Sequence, residues 1–207
     1  MTAGRTGILG GSFDPIHLGH LIVADHVYEQ MRLDRMIFIP AGQSPLKKHQ
    51  PAASGEDRLR MIELATEHCP RFQVSSIEVD RAGQSFTVDT LRLLRNQTGD
   101  ELFFLMGYDQ VLDLHRWRDP DRILELAQIV GMSRPEYQAP DLDGLAERLP
   151  AIRSRLVLVH VPAIEISSTD LRRRLAEGRS IEFRVMPGVR DYIQANGLYG
   201  APDPRQK

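Results

Sequence analysis

Cysteine is almost missing: Cys69 stands alone among 207 residues. No disulfide can form within the chain, and a reducing compartment suits it. Cys69 itself reads as a buried or bystander thiol. Long apolar runs are missing too. None approaches the ~20 residues of a membrane span, and the opening Met-Thr-Ala-Gly-Arg has no apolar signal core. The expected location is the cytoplasm, with no membrane partner. Charge of one sign is scarce, the formal net charge being −2, so no general nucleic-acid surface is expected. Two phosphate signatures are absent as well. Neither G-x-G-x-x-G nor G-x-x-x-x-G-K-[ST] occurs, which excludes the dinucleotide fingerprint and the P-loop.

What remains is an ordinary globular composition, 42% apolar and 26% charged, without repeats, low-complexity tracts or an interdomain linker. The length suits one domain over residues 1–200, with 201–207 as a flexible tail. Short apolar runs lie at 6–9, 36–39, 72–79, 102–106, 129–132 and 156–161. Helical patterns lie between them, near 18–31, 55–68, 87–96, 121–127 and 142–149. That alternation predicts an α/β fold: a doubly wound, mostly parallel sheet with helices on both faces. Ser54 and Asp57 resemble a capping box opening a helix with Leu59, Ile62 and Leu64. Pro187 opens a last helix and Gly197 closes it. Residues 41–55, rich in Pro, Gly, Ser and Lys, read as a long mobile loop.

Residues 10–20, Gly-Gly-Ser-Phe-Asp-Pro-Ile-His-Leu-Gly-His, carry the strongest chemical signal. A glycine turn follows an apolar run, and His17 and His20 enter the first turn of the next helix. Spacing of three puts both rings on one helix face. The free N–H groups and positive dipole end of a helix start suit an anion such as phosphate. Two surface histidines, or a metal pair, are the alternative readings, but no nearby Cys or His completes a ligand set. The second signal is Ile166-Ser167-Ser168-Thr169-Asp170-Leu171-Arg172, at the start of a helix expected over 170–177. Alone it is also a common helix cap. Its hydroxyls, first-turn amides and Arg172 can hold a triphosphate, whereas Arg173, Arg174 and Arg179 read as a solvated basic face. The polar sets all follow strands, so they belong on the one rim where open α/β sheets bind ligands.

This pair of motifs resembles the HxGH and ISSTxxR signatures of the nucleotidyltransferase superfamily, which sit at opposite ends of a Rossmann-like sheet. Within it the chain is most similar to the bacterial nicotinate-nucleotide adenylyltransferases. Their pattern GGxFDPxHxGH is met by Gly10, Gly11, Phe13, Asp14, Pro15, His17, Gly19 and His20. Ser85-Phe86-Thr87-Val88-Asp89-Thr90 matches a second motif with Phe for Tyr. Gly107-Tyr108-Asp109, Trp117, Arg134-Pro135 and the ending Tyr192…Asn196-Gly197-Leu198-Tyr199 follow in order. One loop departs from the family: Ser44-Pro45-Leu46-Lys47 puts Leu46 where a histidine is usual and keeps the lysine. His49 is a substitute two residues beyond Lys47.

The resemblance implies a reaction between ATP and nicotinate mononucleotide giving nicotinate adenine dinucleotide and pyrophosphate. It implies catalytic roles for His20 on the α-phosphate, His17 on the β,γ side and Arg172 on the leaving pyrophosphate. Gly10, Gly11, Ser12, Phe13, Gly107, Ile166, Ser168 and Thr169 are expected to line the substrate site, with Lys47 as a phosphate contact or a solvated lysine. Trp117 would stack on the pyridine ring or serve only the core. Thr87 and nearby amides would receive the carboxylate, Asp109 a ribose hydroxyl, and Arg134 the mononucleotide phosphate. Asp14 orients its loop, holds a metal-bound water or closes an Asx turn. Mg²⁺ would arrive on the ATP phosphates, with no protein metal cage. Alternatives are transfer to nicotinamide mononucleotide or phosphopantetheine, and a non-catalytic adenylate-binding module. Association into a homo-oligomer is left open.

Overall fold

The structure is a computed structural model and describes residues 3–43, 51–133 and 142–200. Six strands form one parallel sheet: β1 (Arg5–Gly11), β2 (Arg35–Pro40), β3 (Phe72–Val74), β4 (Glu101–Gly107), β5 (Ala127–Ser133) and β6 (Leu156–His160). Their order is β3-β2-β1-β4-β5-β6, every neighbouring pair parallel. Between and after them run α1 (Leu18–Gln30), α2 (Gly55–Thr66), α3 (Thr87–Thr98), α4 (Tyr108–Leu112), α5 (Pro120–Leu126), α6 (Leu142–Arg148), α7 (Ile152–Arg155), α8 (Ser168–Ala176) and α9 (Pro187–Ala195). The strands read as continuous apolar runs because both faces of the sheet are covered. Leu9, Phe38, Phe103 and Leu105 meet α1, α2, α8 and α9 on one side. Ile8, Ile39, Phe104 and Met106 meet α3 to α7 on the other.

The predicted strands and helices are all present, and α4 and α7 are additions. Two boundaries move. β3 ends at Val74 rather than 79: the Ser75 N–H makes a last bond to the Phe38 carbonyl (3.0 Å), and Ser76 then turns the chain onto Asp80. α8 starts at Ser168, two residues early, because the Ser167 hydroxyl accepts from the Asp170 N–H at 3.1 Å and is the true cap. Ser54 caps α2 as expected, accepting from the Asp57 N–H at 3.0 Å. Of the loop expected over 41–55, residues 44–50 lie outside the described residues, as does the tail 201–207; residues 51–54 are non-helical and α2 begins at Gly55. No helix among the described residues is long and apolar enough to cross a membrane.

Strand order reverses at β1: the chain builds outward through β2 and β3, then returns to β4 on the other side. The crevice beyond the carboxyl ends of β1 and β4 is where ligands are bound in such sheets. Leu91, fully buried on α3, presses that helix onto the sheet beside the crevice. Leu91→Ala is expected to cost about 2–5 kcal/mol of folding stability. Urea unfolding checks this, and a loss below about 1 kcal/mol would show that α3 is held by something else.

Candidate active site

Two cavities flank the end of β1. The first, about 380 Å³, is lined by Leu9, His17, Gly19, His20, Asp109 and Ile166, among others. The second, about 560 Å³, takes Gly10 and Gly11 from the same strand with Thr87, Phe104, Trp117 and Arg118. Side chains alternate along a strand, so Leu9 turns to the first cavity and Ile8 to the second, where the two glycines leave the strand end open.

In the first cavity the histidine rings stack, 3.7 Å between centroids and 22° from parallel. His17 is the cap residue of α1, and its backbone N–H donates to Nδ1 of His20 at 3.2 Å. With Nδ1 accepting, the neutral His20 ring carries its proton on Nε2. Phe13, itself buried, meets the His20 ring edge-on at 5.0 Å. Gly19 suits this stacking: a Cβ there would stand 3.0 Å from Nδ1 of His17, a tight contact that the ring would have to yield to. Burial pushes the His17 imidazole down to about 4. Burial, and then the neighbouring His17, push His20 down to about 3. Both rings are therefore neutral near pH 7. The Nδ1 atom of His17 is buried without a hydrogen-bond partner among the described residues.

The helix start is less open than its sequence implies. The Leu18 N–H donates to the Arg184 carbonyl (2.9 Å) and the His20 N–H to the His17 carbonyl (2.9 Å). Gly19 keeps the one first-turn amide with no partner among the described residues.

The two motifs are not at opposite ends of the sheet. The chain leaves β6 at the edge and returns over β1, so that α8 touches the Gly10–His20 loop directly. The Ser168 hydroxyl donates to the Pro15 carbonyl at 2.9 Å, and Arg172 Nη1 to the Asp14 carbonyl at 2.6 Å. Arg172 also reaches the Thr169 hydroxyl at 3.4 Å. Ile166 lines the first cavity; Ser168, Thr169 and Arg172 are not among its lining residues. The Ser168 donor and one Arg172 nitrogen are thus spent on holding the loop.

Asp14 is the centre of that loop. Its carboxylate is buried and accepts from the N–H groups of Ala52 (2.8 Å) and Ala53 (3.1 Å) and from the Tyr199 hydroxyl (2.7 Å), with Arg172 3.6 Å away. These contacts make the carboxylate an anchor of its loop. Arg58 was not anticipated. It is buried, and Nη1 donates to the carbonyls of both Ser12 and Ala41 at 2.9 Å. A charged residue on the buried face of α2 had one available signal: it lies one turn before Ile62 in the apolar stripe.

The second cavity joins an aromatic slot to a helix start. Trp117 meets Phe104 edge-on at 6.2 Å. Phe86 caps α3, and the Thr87 and Val88 amides of its first turn have no partner among the described residues. Asp109 is exposed at the first cavity beside Gly107, whose N–H donates to the Gln110 side chain at 3.2 Å. Lys47 and Arg134 lie outside the described residues, as do Leu46 and His49.

Removing the Asp14 charge should strand buried donors. Asp14→Asn is expected to lose roughly 3 kcal/mol of stability and Tyr199→Phe about 1 kcal/mol, measured by urea unfolding. Equal, near-zero losses would contradict a central role for the carboxylate. The histidines predict a pH dependence. Their folded pKa values lie below the unfolded 6.5, so the unfolded chain binds more protons between about 6.5 and 3. Their contribution to stability is then lost as pH falls through that window and is flat above it. Histidine NMR titration of the free protein should show neither ring protonating above pH 5. A midpoint near 6.5 for His20 would contradict its burial.

A family model described as cytidylyltransferase-like matches residues 8–174. A protein of Roseiflexus castenholzii named "Probable nicotinate-nucleotide adenylyltransferase" is 51% identical over 96% of this chain and all of its own. One of the same name from Thermomicrobium roseum is 47% identical, covering 94% of this chain and 91% of its own. In three dimensions the chain is similar to the Plasmodium falciparum nicotinic acid mononucleotide adenylyltransferase complexed with NaAD. The TM-score is 0.75 at 18% identity, over 96% of this chain and 98% of that one, a likeness of fold. With relatives about half identical from end to end, the chain belongs to the nicotinate-nucleotide adenylyltransferase family of cytidylyltransferase-like proteins.

Proposed function

We propose that this chain is a cytoplasmic adenylyltransferase that joins ATP and nicotinate mononucleotide, giving nicotinate adenine dinucleotide and pyrophosphate. The observation that carries the reading is the stacked, neutral His17–His20 pair in a cavity whose loop is tied to Arg172 and Ser168. The mononucleotide phosphate is the nucleophile. Its oxygen forms a bond to the α-phosphorus of ATP, and the bond to the β-phosphate oxygen breaks in line, its electrons leaving with pyrophosphate. No side-chain nucleophile is required. The protein contributes positioning and electrostatic stabilisation, and aligned reactants alone can supply on the order of 7–11 kcal/mol.

Each group has a place in that scheme. With its Nδ1 engaged, His20 offers Nε2–H to an α-phosphate oxygen, a donor aimed where negative charge grows. His17 and the free Gly19 amide face the same cavity and suit the phosphates beyond. Arg172 holds the loop with Nη1 and keeps other donors for the leaving pyrophosphate. In the second cavity Trp117 and Phe104 accept the pyridine ring, and the amides of Thr87 and Val88 suit its carboxylate. Asp109, with no partner among the described residues, suits a ribose hydroxyl. Lys47 and Arg134 belong to the proposal as phosphate contacts. Magnesium carried on the ATP phosphates neutralises oxygen charge when bound. Such an ion would be held largely through substrate oxygens and water.

The test is pyrophosphate release from Mg·ATP and nicotinate mononucleotide. Steady release is expected, and His20→Ala should lower kcat by about 10²–10³-fold while the protein stays folded by circular dichroism. Near-normal turnover in the variant would remove His20 from the mechanism.

A further inference from the structure

We propose that Arg118 sets the choice of pyridine nucleotide, its guanidinium pairing with the nicotinate carboxylate and so favouring the acid over the amide. This rests on the function proposed above. Three charged side chains line the second cavity: Glu78, Arg116 and Arg118. Glu78 is engaged by the wall: Oε1 accepts from the Thr90 hydroxyl at 2.8 Å and Oε2 from the Gly42 N–H at 3.4 Å. Its charge makes that wall the wrong place for a second carboxylate. Arg116 turns toward Asp113, 3.5 Å away, with both side chains well exposed.

Arg118 is held differently. Its guanidinium lies 4.4 Å over the ring of Phe86, the residue that caps α3 and precedes Thr87. Its nearest acid is Asp89, at 3.9 Å, and Asp89 already accepts from Arg92 at 2.8 Å. The Arg118 ion pair is loose, and the fork keeps donors for a ligand. The Phe86 ring restrains a guanidinium whose side chain is otherwise 59% exposed, and freedom lost there need not be lost on binding. Beside it are the Thr87 and Val88 amides, without a partner among the described residues, at the start of a twelve-residue helix, and the indole of Trp117. Aromatic walls with a planar cation at one side complement an aromatic ring that bears a carboxylate. A neutral carboxamide fills the same volume but leaves the guanidinium without its anion. Charge-assisted bonds are about twice as strong as neutral ones, and a site built around a polar partner discriminates better than an apolar slot.

The experiment measures kcat/KM for nicotinate mononucleotide and its amide, with Mg·ATP, in the unmodified chain and in Arg118→Met. Methionine keeps the contact with Phe86 and loses the charge; Arg118→Gln serves as a second variant should Met disturb folding. The unmodified enzyme should prefer the acid. In either variant kcat/KM for the acid should fall about tenfold through KM, and that for the amide should stay within about twofold. An equal fall for both nucleotides, or an unchanged ratio, overturns the proposal and leaves the function standing. No pyrophosphate release from either nucleotide in the unmodified chain overturns the functional reading, and Arg118's role with it.

Discussion

The Asp14 carboxylate is a full charge taken out of water, and much of the site is arranged around that cost. A buried carboxylate is tolerated only when its oxygens are satisfied. Here the partners come from distant parts of the chain: the amides that lead into α2, the Tyr199 hydroxyl near the C-terminal end, and Arg172 on α8. One side chain thereby fixes the loop after β1 against three elements that the sheet alone would leave independent. Tyr199 adopts a positive φ of 59° to reach it, a conformation that non-glycine residues rarely take. Arg58 completes the arrangement from below, joining the carbonyls after β1 and β2. Burial lowers its pKa, and the charge of Asp14 opposes that shift.

The same loop presents two histidines that are uncharged. A site for a polyanion built from bare cations would hold substrate tightly whether or not it reacts. Neutral N–H donors are weaker in the ground state and gain most when charge builds on the oxygen they face. Stacking the two rings at 3.7 Å makes protonating either one costly for the other. The closeness also suits Gly19, since a Cβ there would press on the His17 ring at 3.0 Å.

The sheet was legible because strands covered on both faces must be apolar at every position, and those runs stand out between amphipathic helices. Boundaries were less so. The run from Phe72 to Val79 stays apolar in part after Val74 because it packs as a turn, not because it pairs. The short α4 and α7 have too few turns to show a period. At the site, the motifs located His17, His20, Gly19 and Thr87, but not what each contact is spent on. Whether Asp14 faces ligand or protein depends on partners 38 to 185 positions away. Arg58 was invisible for the opposite reason: a charge in a helix reads as solvent-facing unless its buried acceptors are known.

The placement proposed for the two substrates follows from the alternation of a single strand. Leu9 turns toward the cavity of the histidines, and Ile8 and Gly10 turn toward that of Trp117 and Thr87. The cavities are therefore separated by about the thickness of one backbone at the end of β1. Two anions brought together from either side repel each other, and that repulsion is one part of the barrier to joining them. A loop of small residues between them lets the phosphates come close without a side chain in the way. Their charge must then be met by amides, imidazoles and guanidinium groups already fixed in place. That fixing is what the buried Asp14 and Arg58 contribute, although neither lines the cavity of the histidines.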